Sequence, residues 1–381
     1  MPAHRAEPPH PERKAETDGC WSEGSIWRLF RRATMGNHPL CMCWELTHRC
    51  PLDCRHCYLR GAEAGPEMSL DQASHALEAL ARAGVLFLVY TGGEPTLHPN
   101  FWDIAFRGKE LGFCAQIYTG ATHFADADFD RMAALGPFSV EITLHGPDAG
   151  AHDAVTRRPG SFAKSVRAIR ELVARGVKSV VKVSVFRTNV ECMDAVRNLA
   201  HDLGASFRLG NEILAAIGSR QVDAPDLVPS QDMMTAHYRD LMRLGYRPRV
   251  EIPTDDTFLC GAGRGTLAMD PTGLILPCVI WREPLGNVLE KPFGEIWNGE
   301  AARRVREFRY KDLLTCRTCD VRQVCKVCPG EGWLRWRDPV RPAETTCRCA
   351  QAKHAALLEW QAAEDPQAAS KAPDPLPGST R

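Results

Sequence analysis

The sequence predicts an α/β protein: a parallel sheet with covering helices, followed by a small cysteine-rich domain. Three observations carry this reading. Short apolar runs rich in β-branched and aromatic residues alternate with amphipathic stretches of helical period from about residue 40 to residue 245. After Gly245 the alternation stops, and Gly, Pro and Cys punctuate short segments as far as Cys349. Most of the sixteen cysteines fall into tight, patterned groups, which scattered burial of thiols does not produce.

Taken in order, residues 1–38, rich in Pro, His and charge, cannot bury enough apolar surface to order themselves and read as a disordered tail. Residues 39–245 hold the alternation. Strands are expected at Leu40–Thr47, Val85–Thr91, Phe113–Thr119, Phe138–Leu144, Ser179–Phe186 and Ser206–Leu209. Between the first two, Ser69 and Gln72 fit a capping box, and Leu70, Ala73, Leu77, Leu80 and Ala81 recur on one helical face. Ser161 is placed to cap the helix carrying Val166, Ile169, Leu172 and Val173, and Gly176 to end it. Strand–helix repeats of this length imply parallel neighbours, since parallel pairing needs a long crossover. An open sheet and a partial barrel both fit. In either, chemistry belongs at the carboxyl ends of the strands. Residues 250–355 read as a small domain held together by metal, and residues 361–381 as a second disordered tail.

Composition narrows the function. Lys plus Arg and Asp plus Glu are equal at 47 each, so no global positive field points to nucleic acid or an anionic membrane. The longest apolar run, Val85–Tyr90, is far too short to span a bilayer, and the N-terminal stretch lacks the apolar core of a signal peptide. A cytoplasmic location is expected. There, thiols stay reduced, so the patterned cysteines read as metal ligands rather than disulfides. Cys20, Cys41, Cys43, Cys114 and Cys192 lie outside the patterns and read as buried thiols.

Cys50, Cys54 and Cys57 fall in one eight-residue loop after the first strand. Three close thiolates can hold three corners of a cubane iron–sulfur cluster and leave one iron open. Electron-transfer sites instead occupy every iron with cysteine, and structural zinc takes four tetrahedral ligands. The C-x3-C-x2-C spacing, followed by Gly92-Gly93-Glu94-Pro95 after the second strand, strongly resembles the radical SAM enzymes over about residues 40–215. The resemblance implies a partial (β/α)6 TIM-like barrel. It implies a 4Fe-4S cluster whose open iron chelates the amino and carboxylate groups of S-adenosylmethionine (SAM). One electron from a ferredoxin- or flavodoxin-type reductant then gives methionine and a 5′-deoxyadenosyl radical that abstracts hydrogen. By the same resemblance Gly92, Gly93 and Glu94 meet the methionine end, with Gly93 and Glu94 at its amino group. The resemblance also implies that His56 lies along the adenine and that Thr143 contacts SAM. His145 shares a strand face with Thr143.

A second pattern begins at Cys260: Gly273-x4-Cys278, then Cys316-x2-Cys319-x5-Cys325-x2-Cys328, then Cys347-Arg-Cys349. Two C-x2-C pairs alone would fit zinc, but the thiols are too many for one zinc ion. Over about residues 255–350 this order resembles the SPASM extension of a subset of radical SAM enzymes, which carries two auxiliary iron–sulfur clusters. The resemblance implies Cys260, Cys278 and Cys328 on the first cluster. It implies Cys316, Cys319, Cys325 and one of Cys347 or Cys349 on the second, with Cys347 preferred. Two departures stand out. The spacing before Cys328 is x2 where relatives have x3, and position 266 is Thr where they have another cysteine. The first cluster is thereby left with three protein ligands in the sequence pattern.

SPASM enzymes commonly modify peptides, so the resemblance implies a maturase acting on a precursor peptide. The auxiliary clusters would accept the electron that a substrate radical loses. Val279 stands where sulfatase-maturing relatives carry Asp, which argues against that activity. Residues 1–39 are too few to fold as a peptide-recognition domain, so a separate leader-binding partner is expected. No residue is identified as the general base. The alternatives are tailoring of a small molecule such as a tetrapyrrole or cofactor precursor, and a non-catalytic iron–sulfur carrier. The carrier has no use for Gly92-Gly93-Glu94.

Overall fold

The computed structural model describes residues 25–364, apart from 61, 63, 64 and 211–226. Strands β1 (Cys41–Thr47), β2 (Phe87–Gly92), β3 (Cys114–Thr119), β4 (Ser139–Thr143), β5 (Ser179–Ser184) and β6 (Ser206–Gly210) pair in parallel and in chain order. Each expected strand is present, with ends moved by one or two residues. The set is not closed on itself. Beyond β1 the sheet continues through β7 (Thr266–Met269), β8 (Leu274–Leu276) and β9 (Gly286–Asn287), so nine strands form one sheet. The architecture is a partial barrel extended by a hairpin from the cysteine-rich domain.

The helices are α1 (Ser25–Gly36), α2 (Leu70–Arg82), α3 (Phe101–Glu110), α4 (Asp126–Leu135), α5 (Ala149–Thr156), α6 (Ser161–Ala174), α7 (Met193–Asp202) and α8 (Gln231–Arg243). In the C-terminal domain they are α9 (Phe293–Trp297), α10 (Glu300–Glu307), α11 (Pro329–Trp336) and α12 (Glu344–Glu364). The predicted capping box opens α2: Gln72 N donates to Ser69 Oγ, and Ser69 N to Gln72 Oε1. Ala73, Leu77 and Leu80 are buried, whereas Leu70, in the first turn, is 36% exposed. Gly176 follows α6 with φ of +75°, a backbone conformation in which a Cβ is strained. Ser161 is not the cap of α6. Gly160 takes that position, and Asp153 of α5 accepts from the amides of Gly160 and Phe162 at 2.6 and 2.9 Å. A carboxylate from the neighbouring helix thus does the capping, a long-range partner that local pattern does not reveal.

β1 divides the interior. Met42, Trp44 and Leu46 point outward into the main core, shared with Leu77 and Leu80 of α2. Cys41, Cys43, Glu45 and Thr47 alternate onto the concave face. Here the expected N-terminal tail of residues 1–38 is corrected in part. Residues 25–36 form α1, whose Phe30 and Ala33 cluster with Leu40, Cys41, Phe87 and Val89. The Phe30 ring packs against Phe87, tilted by 39° with centroids 5.2 Å apart. The apolar face of α1 is short, and a partner provided by β1 and β2 is what lets it fold. Residues 1–24, with Cys20, lie outside the described residues. At the other end, α12 runs to Glu364, beyond the expected boundary at 361, because it packs on α8. Arg239 meets Glu359 at 2.6 Å, and the Arg247 guanidinium lies 4.0 Å over the Trp360 ring. Residues 365–381 lie outside the described residues.

Candidate active site and iron–sulfur centres

A cavity of about 560 Å³ opens at the carboxyl ends of the strands. Its wall includes Cys50, Cys54, His56, Cys57, Gly92, Gly93, Thr143 and His145. The sequence-predicted residues of the first site therefore meet, with one exception. Glu94 is 1% exposed and absent from that wall. Its carboxylate accepts from Thr119 Oγ1 (2.7 Å), Thr96 Oγ1 (2.7 Å) and Gly120 N (2.9 Å). A buried carboxylate needs such donors. In this structure the Glu94 side chain holds the turn after β2 against the loop after β3, instead of facing the cavity.

The two glycines before it are required by a backbone approach. A Cβ on Gly92 would lie 2.2 Å from Thr47 O, and one on Gly93 2.3 Å from Arg49 O. The amides of Gly93 and Glu94 donate to Thr47 O and Arg49 O, both at 2.8 Å. The Gly-Gly-Glu turn is thus locked to the base of the cysteine loop. The loop is also tied to α5, through Asp53 N to Thr156 O and Arg55 N to Val155 O.

The three thiols of the loop lie within electrostatic reach of one another. Burial pushes the Cys50 thiol up to about 12, and Cys57 and Glu94 add to this. Burial and the other two thiols raise Cys54 as well. Backbone amides of Leu52, and of Leu59 and Arg60, point at Cys50 and Cys57 respectively and favour their thiolates. Crowded thiols that resist ionisation, yet have amides aimed at them, suit a cationic iron cluster that supplies the missing positive charge. Among the described residues, no three His, Cys, Asp or Glu side chains converge tightly enough for a single metal ion.

Beside the thiols sits a row of imidazoles. His56 lies 4.7 Å from His145 and 4.7 Å from Phe186, and His145 5.4 Å from His152, between ring centroids. Burial pushes His56 and His152 down to about 4, and lowers His145 strongly, so the row is neutral at physiological pH. His56 Nδ1, His145 Nδ1 and His152 Nε2 are buried without a hydrogen-bond partner. Such atoms are costly unless a ligand satisfies them. His152 escaped the sequence reading because it sits on α5, outside any motif. Tyr58 also escaped it. Its hydroxyl donates to Glu45 Oε1 at 2.9 Å, and the side chain lines the cavity. Three lysines complete the wall: Lys182 from β5, Lys326 from the C-terminal domain and Lys353 from α12.

The remaining cysteines form two groups. Cys260 feels Cys278, and Ala262 N donates to Cys260 Sγ at 3.4 Å. Amides of Val279, Ile280 and Trp281 point at the Cys278 sulfur. Cys328 precedes α11, which docks on that same turn: a Cβ on Gly330 would lie 3.0 Å from Trp281 N. In the second group Cys325 feels Cys316, Cys347 and Cys319, and Cys347 feels Cys316 and Cys319. Cys349, two residues along α12, instead lines the large cavity. Of the thiols read as buried, Cys41 is so, at 6% exposed. Cys43, Cys114 and Cys192 are only half-buried, since each sits at a strand face or helix end that its neighbours cover incompletely.

A partial barrel whose mouth gathers three loop thiols, followed by a domain that gathers two further sets, defines a class. The chain belongs to the radical SAM superfamily, whose profile matches residues 44–200, and carries the SPASM iron–sulfur cluster-binding domain, matched over residues 260–320. It is an enzyme of that family, which uses SAM and a 4Fe-4S cluster, with auxiliary clusters in the SPASM domain. It is 31% identical to the mycofactocin maturase MftC of Mycobacterium tuberculosis, over 71% of this chain and 73% of that protein. It is 27% identical to the AdoMet-dependent heme synthase of Methanosarcina barkeri, over 80% of this chain and 95% of that one. Among solved structures, SuiB of Streptococcus suis bound to SAM has the same fold. Its TM-score is 0.64 at 17% identity, covering 84% of this chain and 82% of that one. SuiB has also been solved with its precursor peptide SuiA. Among the described residues no helix is long and apolar enough to cross a membrane.

Proposed function

We propose that this enzyme is a peptide maturase: it cleaves SAM at the barrel mouth, abstracts hydrogen from a precursor peptide, and passes the released electron to the auxiliary clusters. The observation that carries this is one cavity lined by both domains. Cys50, Cys54 and Cys57 line it together with Lys326, Thr346, Cys349 and Lys353 of the C-terminal domain. A substrate in it touches both domains. The likeness to MftC supports a peptide as that substrate.

Cys50, Cys54 and Cys57 would hold the SAM-binding cluster. Cys260, Cys278 and Cys328 would hold the first auxiliary cluster, and Cys316, Cys319, Cys325 and Cys347 the second. The electrostatic grouping of Cys347 with Cys316 and Cys319 supports Cys347 over Cys349. When bound and reduced, the first cluster supplies the electron that turns SAM into a hydrogen-abstracting carbon radical. The chain's own residues do the positioning. Gly92 and Gly93 bring a bare backbone to the methionine end, while Glu94 braces that turn from behind. His56, with Thr143 and His145, would meet the adenosyl half, where neutral imidazoles would offer hydrogen bonds without charge. A ferredoxin- or flavodoxin-type reductant and a separate leader-binding protein complete the system. A cytoplasmic location fits cysteines kept reduced as metal ligands.

The test is anaerobic reconstitution. Reduced protein should form 5′-deoxyadenosine from SAM, and Cys54→Ala should abolish this. Co-expression with a neighbouring precursor peptide should change the peptide's mass. Absence of 5′-deoxyadenosine would sink the whole reading. A second reading, tailoring of a tetrapyrrole precursor, is favoured by the match along 95% of the heme synthase. An unchanged peptide together with consumption of an added tetrapyrrole would establish it instead.

A further inference from the structure

We propose that Cys43, on the concave face of β1, supplies the fourth thiolate of the first auxiliary cluster, in place of the ligand absent at Thr266. This rests on the assignment of Cys260, Cys278 and Cys328 to that cluster.

The sheet register brings the groups together. β1 pairs with β7 so that Cys41 is opposite Thr266 and Cys43 opposite Ala268. β7 pairs with β8 so that Ala268 is opposite Leu276. In-register partners point to the same face, and residues two apart on a strand share it. Cys41, Cys43, Thr266, Ala268 and Leu276 therefore lie on one face. Cys278 follows two residues after Leu276, in the bend that leaves the end of β8. The side chain between Cys43 and β8 is only the methyl of Ala268.

Contacts beyond the strands agree. The turn after Cys278 is tied to β1 by Arg282, whose Nη1 reaches Glu45 Oε2 at 2.9 Å and Val279 O at 3.1 Å. Glu45 is two residues from Cys43 on the same face. Cys278 is among the groups whose charge Cys43 feels. Thr266 offers no ligand of its own, since its hydroxyl donates to Gly261 O at 3.2 Å. Cys41 is the less suitable thiol. It is 6% exposed and enclosed by Phe30, Ala33, Phe87 and Val89, whereas Cys43 is half-buried.

Cys43 releases its proton on binding, and four protein thiolates then close the cluster. No iron of it is left open for substrate, so it serves only to accept or relay electrons. The thiol missing from position 266 has in effect moved to the adjacent strand, from the C-terminal domain to the barrel.

The test uses the full chain with Cys50, Cys54 and Cys57 all changed to Ala, reconstituted anaerobically, so that only auxiliary clusters remain. Iron, sulfide and the electron paramagnetic resonance spectrum of the reduced protein are compared among variants. Cys43→Ala should alter or abolish the signal of the first auxiliary cluster and lower iron per chain, while Cys41→Ala matches the parent. The signal of the second auxiliary cluster in the same sample reports folding. If Cys43→Ala loses that signal too, Cys43→Ser, which keeps the volume, decides: a shifted first-cluster spectrum supports ligation. A parental spectrum in the Cys43 variants, with Cys278→Ala altered, overturns the inference alone. A parental spectrum in Cys278→Ala as well overturns the underlying assignment of the cluster.

Discussion

At the scale of single residues, the glycines after β2 show how a motif is built before any ligand arrives. Gly93→Ala would drive a methyl into Arg49 O and His48 O, at 2.3 and 2.6 Å. Neither is a flexible side chain, so the cysteine loop itself must move. The expected outcome is loss of iron from the first cluster with the auxiliary iron retained, measured as iron per chain against wild type. His152 makes a different prediction. Its folded value is about 4 against 6.5 for an ordinary imidazole. Between those values the unfolded chain binds a proton that the folded chain does not, so stability falls as pH falls through this window. From pH 7.5 to pH 5.5 this amounts to about 1 kcal/mol. Urea midpoints of His152→Phe, taken under argon, should decline less over that range than those of wild type.

At the scale of elements, α1 corrects the expectation of a tail. Phe30 is 8% exposed and packed against Phe87. Phe30→Ala should cost about 3 kcal/mol, read as a lower urea midpoint, whereas a truly disordered segment would show no change. The elements legible in the sequence are those whose signal is local. All six barrel strands are found, because buried parallel strands read as apolar runs bounded by turn residues. The Ser69–Gln72 capping box is found because both partners lie within one turn. The cap of α6 is not, because Asp153 belongs to another helix. α1 is not, because its helical face gains stability only against β1 and β2.

At the scale of the whole molecule, one buried ion pair joins the barrel to the C-terminal domain. Glu45 is fully buried and Arg282 is its cationic partner at 2.9 Å. Burial by itself would raise the Glu45 carboxyl, but hydrogen bonds and charge from His48 and Arg282 outweigh it and hold it below the usual value. Arg282→Ala would leave that carboxylate buried with one cation fewer, at a cost of about 3–5 kcal/mol. The same change frees the turn that carries Cys278. The prediction is a lower thermal midpoint together with altered first-auxiliary-cluster potential, and Arg282→Lys should restore part of both. An unchanged midpoint would mean the domains are not coupled here.

The sequence by itself determined the chemistry of the barrel mouth. Three cysteines in one short loop remain neighbours in any fold, and strand period and helix period mark a parallel sheet whose carboxyl ends carry that loop. Tertiary structure decided everything that depends on partners distant in the chain. It turned the Glu94 carboxylate onto Thr119 and Gly120. It set Cys347 among Cys316 and Cys319 while Cys349 faces the cavity. It also brought Cys43 within electrostatic reach of Cys278, more than two hundred residues later in the chain. Spacing is a statement about covalent connection, and so reaches only as far as a loop or a turn. Contacts between segments are chosen by packing and by register across the sheet, and a thiol's neighbours on another strand are visible only once that register exists.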